Sequence, residues 1–214
     1  MSRGSDQKTR SYRMTKRAEQ VDRTRRRIVE ATVALHGTLG PSATTVTAIA
    51  ERAGVTRATV YRHFPDDAAL YRACSTHWLA QQATPDTSSW ARIGDPLQRL
   101  RGGLSDLYRF YRAGEPMLTR IQRDQAFLPA GLQRQRQTRD TALRNLLLAA
   151  FASPRRDRRA LTAIVGHAIA YETWRSLCLD HGLTDAEAVE VMVSAASPWA
   201  GEQRQRASDD PCRA

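Results

Sequence analysis

Long apolar runs are missing from this chain of 214 residues. No stretch approaches the roughly 18 consecutive apolar residues that a membrane-crossing helix needs, so no membrane partner is expected. Residues 1–20 are basic and polar with no apolar core, which excludes a secretory signal and makes the cytoplasm the expected compartment. Cysteine is scarce as well. Cys74, Cys178 and Cys212 are odd in number, far apart and never spaced CxxC, so neither a disulfide framework nor a zinc site is expected. Glycine (12 residues) and aromatics (7%) are sparse, which points to helices rather than a sandwich or barrel. GxSxG, Walker and HExxH motifs are absent, and the five histidines are scattered without metal-ligand spacing. No catalytic residue, metal or cofactor is assigned, and the chain is not expected to be an enzyme.

What is present is an apolar fraction of 41%, enough for a folded core of one or two units. The net charge is +11, and ten basic side chains against three acidic ones give residues 1–27 a net +7. Such an arm is either a solubilising disordered tail or an electrostatic footprint for phosphate.

Along the chain, residues 1–19 read as a disordered basic arm. Helical periodicity begins at Gln20, with Ile28, Ala31, Thr32 and Leu35 at i, i+3, i+4 and i+7, and should stop near His36-Gly37. Short helices follow over 45–53 and 56–63, separated by Gly54; Pro65 ends the second, and Asp66 can cap a helix carrying Leu70, Tyr71, Cys74 and Trp78. Residues 84–94 form a polar connection. Asp95-Pro96 then opens a helix with Leu97, Leu100, Leu104, Leu107, Tyr108 and Tyr111 on one stripe, and Glu115-Pro116 opens a short one. Further helices are predicted over about 130–152, from a basic turn at Arg155 to Arg159 as far as Asp180, and from a Thr184–Glu187 capping box to about Pro198. No strand and no internal repeat is read. The expected fold is all-α, about nine helices. A three-helix domain (20–80) precedes a larger helical domain (81–200) and a flexible tail (201–214).

The informative stretch is residues 45–64. A helix-turn-helix needs two short helices held steeply by a tight turn. Gly54 permits a left-handed backbone, Ala50 keeps the helices close, and Val46, Ile49, Val55 and Val60 fill the space between them. Arg57, Ala58, Tyr61 and Arg62 then face outward, the mixture a recognition helix presents to bases and phosphates. An ordinary helical hairpin is the plain alternative.

The segment from Arg27 to Cys74 resembles the TetR family of transcriptional regulators. The matching features are residues 43–46 (Ala-Thr-Thr-Val), Ile49-Ala50, Ala53-Gly54-Val55 and above all Thr59-Val-Tyr-Arg-His-Phe-Pro65. The resemblance implies that Thr45 caps its helix against a phosphate and Thr47 lies near the groove. It places Thr56, Arg57, Ala58 and Thr59 against base edges, and Tyr61, Arg62 and His63 on the reading face, Tyr61 and His63 at the backbone. Two positions depart from the family. Asp66-Asp67 stand where a phosphate-gripping lysine is common, with Arg23 to Arg27 and the arm available to compensate. His36 replaces a common aromatic, either as a core histidine or as a pH-responsive one.

The same resemblance implies a C-terminal domain that binds a small-molecule effector and dimerises through its last two helices. Candidate pocket residues are Tyr108, Tyr111, Met117, Ile121, His167, Tyr171 and Trp174, with Arg120, Asp124 and Glu172 as polar anchors; core packing and a solvated face are the plain alternatives. Candidate dimer residues are Ala163, Gly166, Ala170, Val189, Met192, Val193 and Ala196. The expected function is sequence-specific DNA binding by a homodimeric repressor, released from a palindromic operator by its ligand. An architectural nucleic-acid binder and a helical enzyme are the competing readings.

Overall fold

The computed structural model of the chain describes residues 3–152 and 158–200, with side chains from residue 15 onward, and among these every regular element is helical. Eleven α-helices run in order: α1 Arg3–Thr38, α2 Val46–Ala53, α3 Arg57–His63, α4 Asp67–Leu79, α5 Thr87–Ala91, α6 Pro96–Ala113, α7 Glu115–Arg123, α8 Ala130–Leu148, α9 Arg158–Ala168, α10 Tyr171–Arg175 and α11 Asp185–Ala196. None of the described helices is long and apolar enough to cross a membrane. The predicted tail (201–214), Cys212, and Arg155 and Arg156 of the basic turn lie outside the described residues.

The chain divides into two units. The first holds the residues up to Gln81 together with Thr119–Leu132; the second holds Gln82–Leu118 and the chain from Gln133. A boundary drawn from sequence near residue 80 leaves 119–132 in the C-terminal domain, because nothing local in that segment announces its partners.

In the first unit α1 packs on α2 and α4, and α2 packs on α3. Their core is Ile28, Val29, Ala31, Ile49, Ala50, Ala53, Val60, Phe64 and Leu70. Helix α1 begins at Arg3, not at Gln20. Residues 3–19 contain no proline and are rich in helix-tolerant Arg, Lys, Gln and Glu, so propagation from a formed helix needs no core contact. Residues 15–22 are accordingly exposed on every side.

The second unit is organised by α6, whose Leu100, Leu104 and Leu107 are buried and which packs most extensively on α11. Bidentate pairs join the two: Arg101 with Glu190 (2.6 and 2.8 Å) and Arg112 with Asp185 (2.8 and 2.7 Å). Asp185 also accepts Trp174 Nε1–H at 2.9 Å, which draws α10 into the same cluster. The predicted capping box is present, Thr184 Oγ1 accepting from Glu187 N at 3.2 Å while the Glu187 carboxylate accepts from Thr184 N at 2.8 Å.

The helix predicted to run unbroken to Asp180 is interrupted. It stops at Ala168, restarts at Tyr171 and finishes in a π-helical turn over Ser176–Asp180. No glycine or proline occupies the break itself, residues 169–170. Its freed carbonyls are taken up by side chains instead: Tyr108 Oη donates to Ala168 O at 2.9 Å, Tyr111 Oη to Ile169 O at 2.6 Å and Thr173 Oγ1 to His167 O at 2.6 Å. A buried carbonyl without a partner is costly, so the two tyrosines on α6 stabilise the break from outside the helix that contains it. Removing one hydroxyl tests this. Tyr111→Phe should lower unfolding free energy by about 1–3 kcal/mol in urea titrations, whereas Tyr61→Phe on the surface should change it by less than about 0.5 kcal/mol.

Candidate nucleic-acid interface

Helices α2 and α3 owe their limits to short polar side chains and one glycine. Thr45 Oγ1 accepts from Ala48 N at 3.1 Å and starts α2. At its far end Gly54 adopts φ +62°, ψ +43°, and Val55 N–H closes back on Ala50 O at 3.0 Å. A side chain there would meet two obstacles: the left-handed backbone, and the Arg27 guanidinium, whose Nη2 lies 2.7 Å from where a Cβ would stand. Thr56 caps α3 by accepting from Thr59 N at 3.2 Å. Val60 is buried and locks α3 to the core.

Most of the predicted reading residues are accessible. Thr45, Thr47, Thr56, Arg57, Ala58, Tyr61 and Arg62 are exposed, while Thr59 and His63 are half-buried. Tyr61 is 46% exposed although it is a large aromatic, so packing does not account for its position. Burial, with smaller contributions from Arg62 and Arg25, lowers the His63 imidazole below its ordinary value and favours the neutral ring.

Asp66 acts within its own helix, where its Oδ1 accepts from Ala69 N at 2.6 Å and caps α4. Arg25 and Arg27, expected to compensate for it at the phosphates, are exposed residues whose guanidinium groups are engaged with carbonyls of the same domain. Arg25 Nη1 donates to His63 O at 3.0 Å, and Arg27 Nη2 donates to Gly54 O at 3.1 Å and to Ala53 O.

A second cluster holds the approach to α2. Arg120 Nε donates to Thr38 O at 2.8 Å and Arg123 Nη2 to Leu39 O at 2.8 Å, satisfying carbonyls at the end of α1. Asp124, only 3% exposed, pairs with Arg123 Nε at 2.7 Å and accepts from Ser42 N at 3.0 Å. The Arg123 hydrogen bond holds its carboxyl far below the usual carboxylate range. Arg120 and Asp124, read from sequence as polar anchors of an effector pocket, therefore brace the loop that leads into the helix-turn-helix. They reach it from 82 residues downstream in sequence, and no local signal reveals that.

The other predicted pocket residues divide. Ile121 lies in the first unit, whereas Tyr108, Tyr111, Met117, His167, Tyr171 and Trp174 lie in the second. The helical face expected to align His167 with Tyr171 and Trp174 is interrupted by the break at 169–170. His167 is exposed, while Tyr111, Tyr171 and Trp174 form a buried aromatic cluster with ring centroids 5.4–6.1 Å apart. Glu172 is exposed. Of the predicted dimer residues, Val189, Met192, Val193 and Ala196 are buried within the chain's own second unit. Ala163 is exposed, and Gly166 and Ala170 are half-buried. Among the described residues no group of three or more His, Cys, Asp or Glu side chains is placed to hold a metal ion.

Residues 28–74 match the family described as bacterial regulatory proteins, tetR family. The N-terminal segment is a TetR-type helix-turn-helix domain. Solved TetR structures share the fold over most of the chain. A TetR-like transcriptional regulator from Rhodococcus sp. RHA1 superposes with a TM-score of 0.59 at 18% identity, covering 81% of this chain and 93% of that one. AibR, in complex with isovaleryl coenzyme A and operator DNA, gives 0.58 at 20% identity over 82% and 98%. NalD of Pseudomonas aeruginosa, the secondary repressor of the MexAB-OprM multidrug efflux pump, gives 0.52 at 23% identity over 84% and 96%. No curated protein sequence matches the chain.

Within the TetR-type domain His36 is a core residue. It is 2% exposed, its ring centroid lies 4.9 Å from that of Tyr71, and its Nδ1 is 3.6 Å from Cys74 Sγ. Burial lowers its pKa to about 4 against an opposing pull from Asp124. The unfolded chain therefore binds more protons than the folded one between about pH 6.5 and 4, and stability present above that window is lost as pH falls. Urea titrations should show about 2 kcal/mol lost between pH 7 and pH 5, and His36→Phe should remove most of that loss.

Proposed function

We propose that the chain is a cytoplasmic, homodimeric repressor that binds a palindromic DNA operator and is released by a small-molecule effector. The observation that carries this reading is the exposed face of α3 with its flanking caps. It presents Arg57, Arg62 and the unburied Tyr61 beside small Ala58, on a helix fixed to a core by Val60. Arginine and a small residue at the start of such a helix suit base-edge contacts, and Tyr61, His63 and the cap hydroxyls of Thr45 and Thr56 suit phosphates. The net charge of +11 adds sequence-independent attraction.

Dimerisation follows from the geometry of the duplex, since two recognition helices must meet major grooves about 34 Å apart. Ala163 and Gly166 supply a small-residue face on α9, with Ala170 in the break after it, and the exposed Val191 and Ala195 of α11 supply its counterpart. The effector is assigned to the second unit, against the aromatic surfaces of Tyr111, Tyr171 and Trp174, with Met117 of the same unit. That AibR was solved with both an acyl-coenzyme A and operator DNA supports the pairing of effector and operator by analogy. An effector acts by favouring the conformation whose recognition helices no longer fit the operator.

Selection from a random duplex library, followed by titration of the recovered DNA, tests the reading. Arg57→Ala with Tyr61→Ala should weaken binding at least about thirtyfold, and an unchanged affinity would remove its basis. Ala163→Arg should shift the chain to monomers in sedimentation equilibrium and lose the operator with them.

A further inference from the structure

Two basic residues of α1 have no need of phosphate to account for them. Arg25 and Arg27 stand two positions apart on α1, hence about 200° apart around its axis, and reach two different helix ends. Arg27 grips the carbonyls of Ala53 and Gly54, where α2 turns into α3. Arg25 donates to His63 O, the last carbonyl of α3, with its Cζ 4.3 Å from the centroid of the Phe64 ring. Phe64 is only 2% exposed, so the guanidinium is stacked on a fixed surface. Gly54 leaves open the space that the Arg27 head group fills.

We infer that Arg25 and Arg27 are positioning residues that set the inclination of α3 in the major groove by holding its far end and the turn that leads into it to α1. Helix α3 has only seven residues and two turns, and Val60 is its sole buried member. With Val60 as its buried member and Phe64 buried just beyond its end, so short a helix takes its inclination from what holds its flanks. The two guanidinium groups add a tie at its far end and another at the turn before it, and they sit on helix-terminal carbonyls whose partial negative charge favours a cation. Arginine at these places therefore contributes to base discrimination without touching a base or a phosphate. The inference rests on the regulatory reading above and assigns its specificity in part to residues outside the helix-turn-helix.

Salt dependence separates this role from phosphate binding. Each phosphate contact removed lowers the slope of log K against log salt by about 0.9 and weakens all sequences alike. The wild-type full-length chain is titrated with the duplex it selects from a random library and with the same duplex with its half-sites scrambled. Arg25→Met and Arg27→Met keep the aliphatic stem and lose the donors. Each should lower the ratio of the two affinities about tenfold while leaving the salt slope on the scrambled duplex unchanged. Arg25→Lys guards against loss of folding, since it keeps the charge but not the planar stack on Phe64, and it should lose discrimination as Arg25→Met does. A fall in slope with the ratio preserved, or full rescue by lysine, would overturn the assignment in favour of a phosphate contact. If the wild type selects no sequence at all, the regulatory reading fails and this one falls with it.

Discussion

The terminal carbonyls of short helices are the constraint on which this structure rests. Eleven helices among the described residues leave many carbonyl groups without intrahelical partners, and each one buried unpaired would cost stability. Here the partners come from distant side chains. Arg25 and Arg27 serve α3 and α2, Arg120 and Arg123 serve the end of α1, and two tyrosines with Thr173 serve the break after α9. In the second unit Arg99, 9% exposed, donates to Ile93 O, Ala91 O and Leu146 O, closing the end of α5 and touching α8. All but two of the 33 basic residues are arginine, the exceptions being Lys8 and Lys16. A planar fork with five donors can satisfy several carbonyls at once where an ammonium group supplies a single point. The basic composition thus has an internal use besides attraction to phosphate.

This use explains how a reading face as small as α3 can be held. Its own buried contacts amount to Val60, yet its beginning is set by the Thr56 cap and the Gly54 turn, and its end by Arg25. Upstream, the loop into α2 is tied by Asp124 to a segment that follows α7. The surface proposed to meet DNA can therefore consist of side chains chosen for recognition, because residues elsewhere carry the burden of orientation. Tyr61 is free to be exposed for this reason.

Features written in local chemistry are legible in the sequence. Thr45, Gly54, Thr56, Asp66, Asp95-Pro96 and the Thr184–Glu187 box each mark a helix end within four residues of themselves, and each has that role. The helix-turn-helix and its outward face follow from the same local logic. Features settled by distant partners are not legible. The break at Ile169-Ala170 is occupied by two ordinary helix-compatible residues, and tyrosines some 60 residues away stabilise it. The burial of Asp124 depends on a loop 82 residues upstream. Periodicity shows that α11 has an apolar stripe of Val189, Met192, Val193 and Ala196 but not what covers it, and α6 of the same chain does. An apolar face at helical spacing has the same pattern whether its partner is internal or a second copy.

The acidic pair at the start of α4 shows how local and global demands are balanced. A cap at Asp66 stabilises α4 by about 1 kcal/mol, and serine or threonine would do as much without a charge. Its carboxylate is also favoured by the positive end of the helix it caps, so part of its field is neutralised where it arises. What remains is screened over about 8–10 Å at ordinary ionic strength, whereas the attraction from a chain of net charge +11 is spread over many sites. Two carboxylates beside a reading face therefore weaken the pull on DNA only locally. In a protein with several arginines tied to its own carbonyls, that local trimming of positive potential should lower affinity for arbitrary sequences more than for one that engages α3, because only the latter recovers free energy from base contacts.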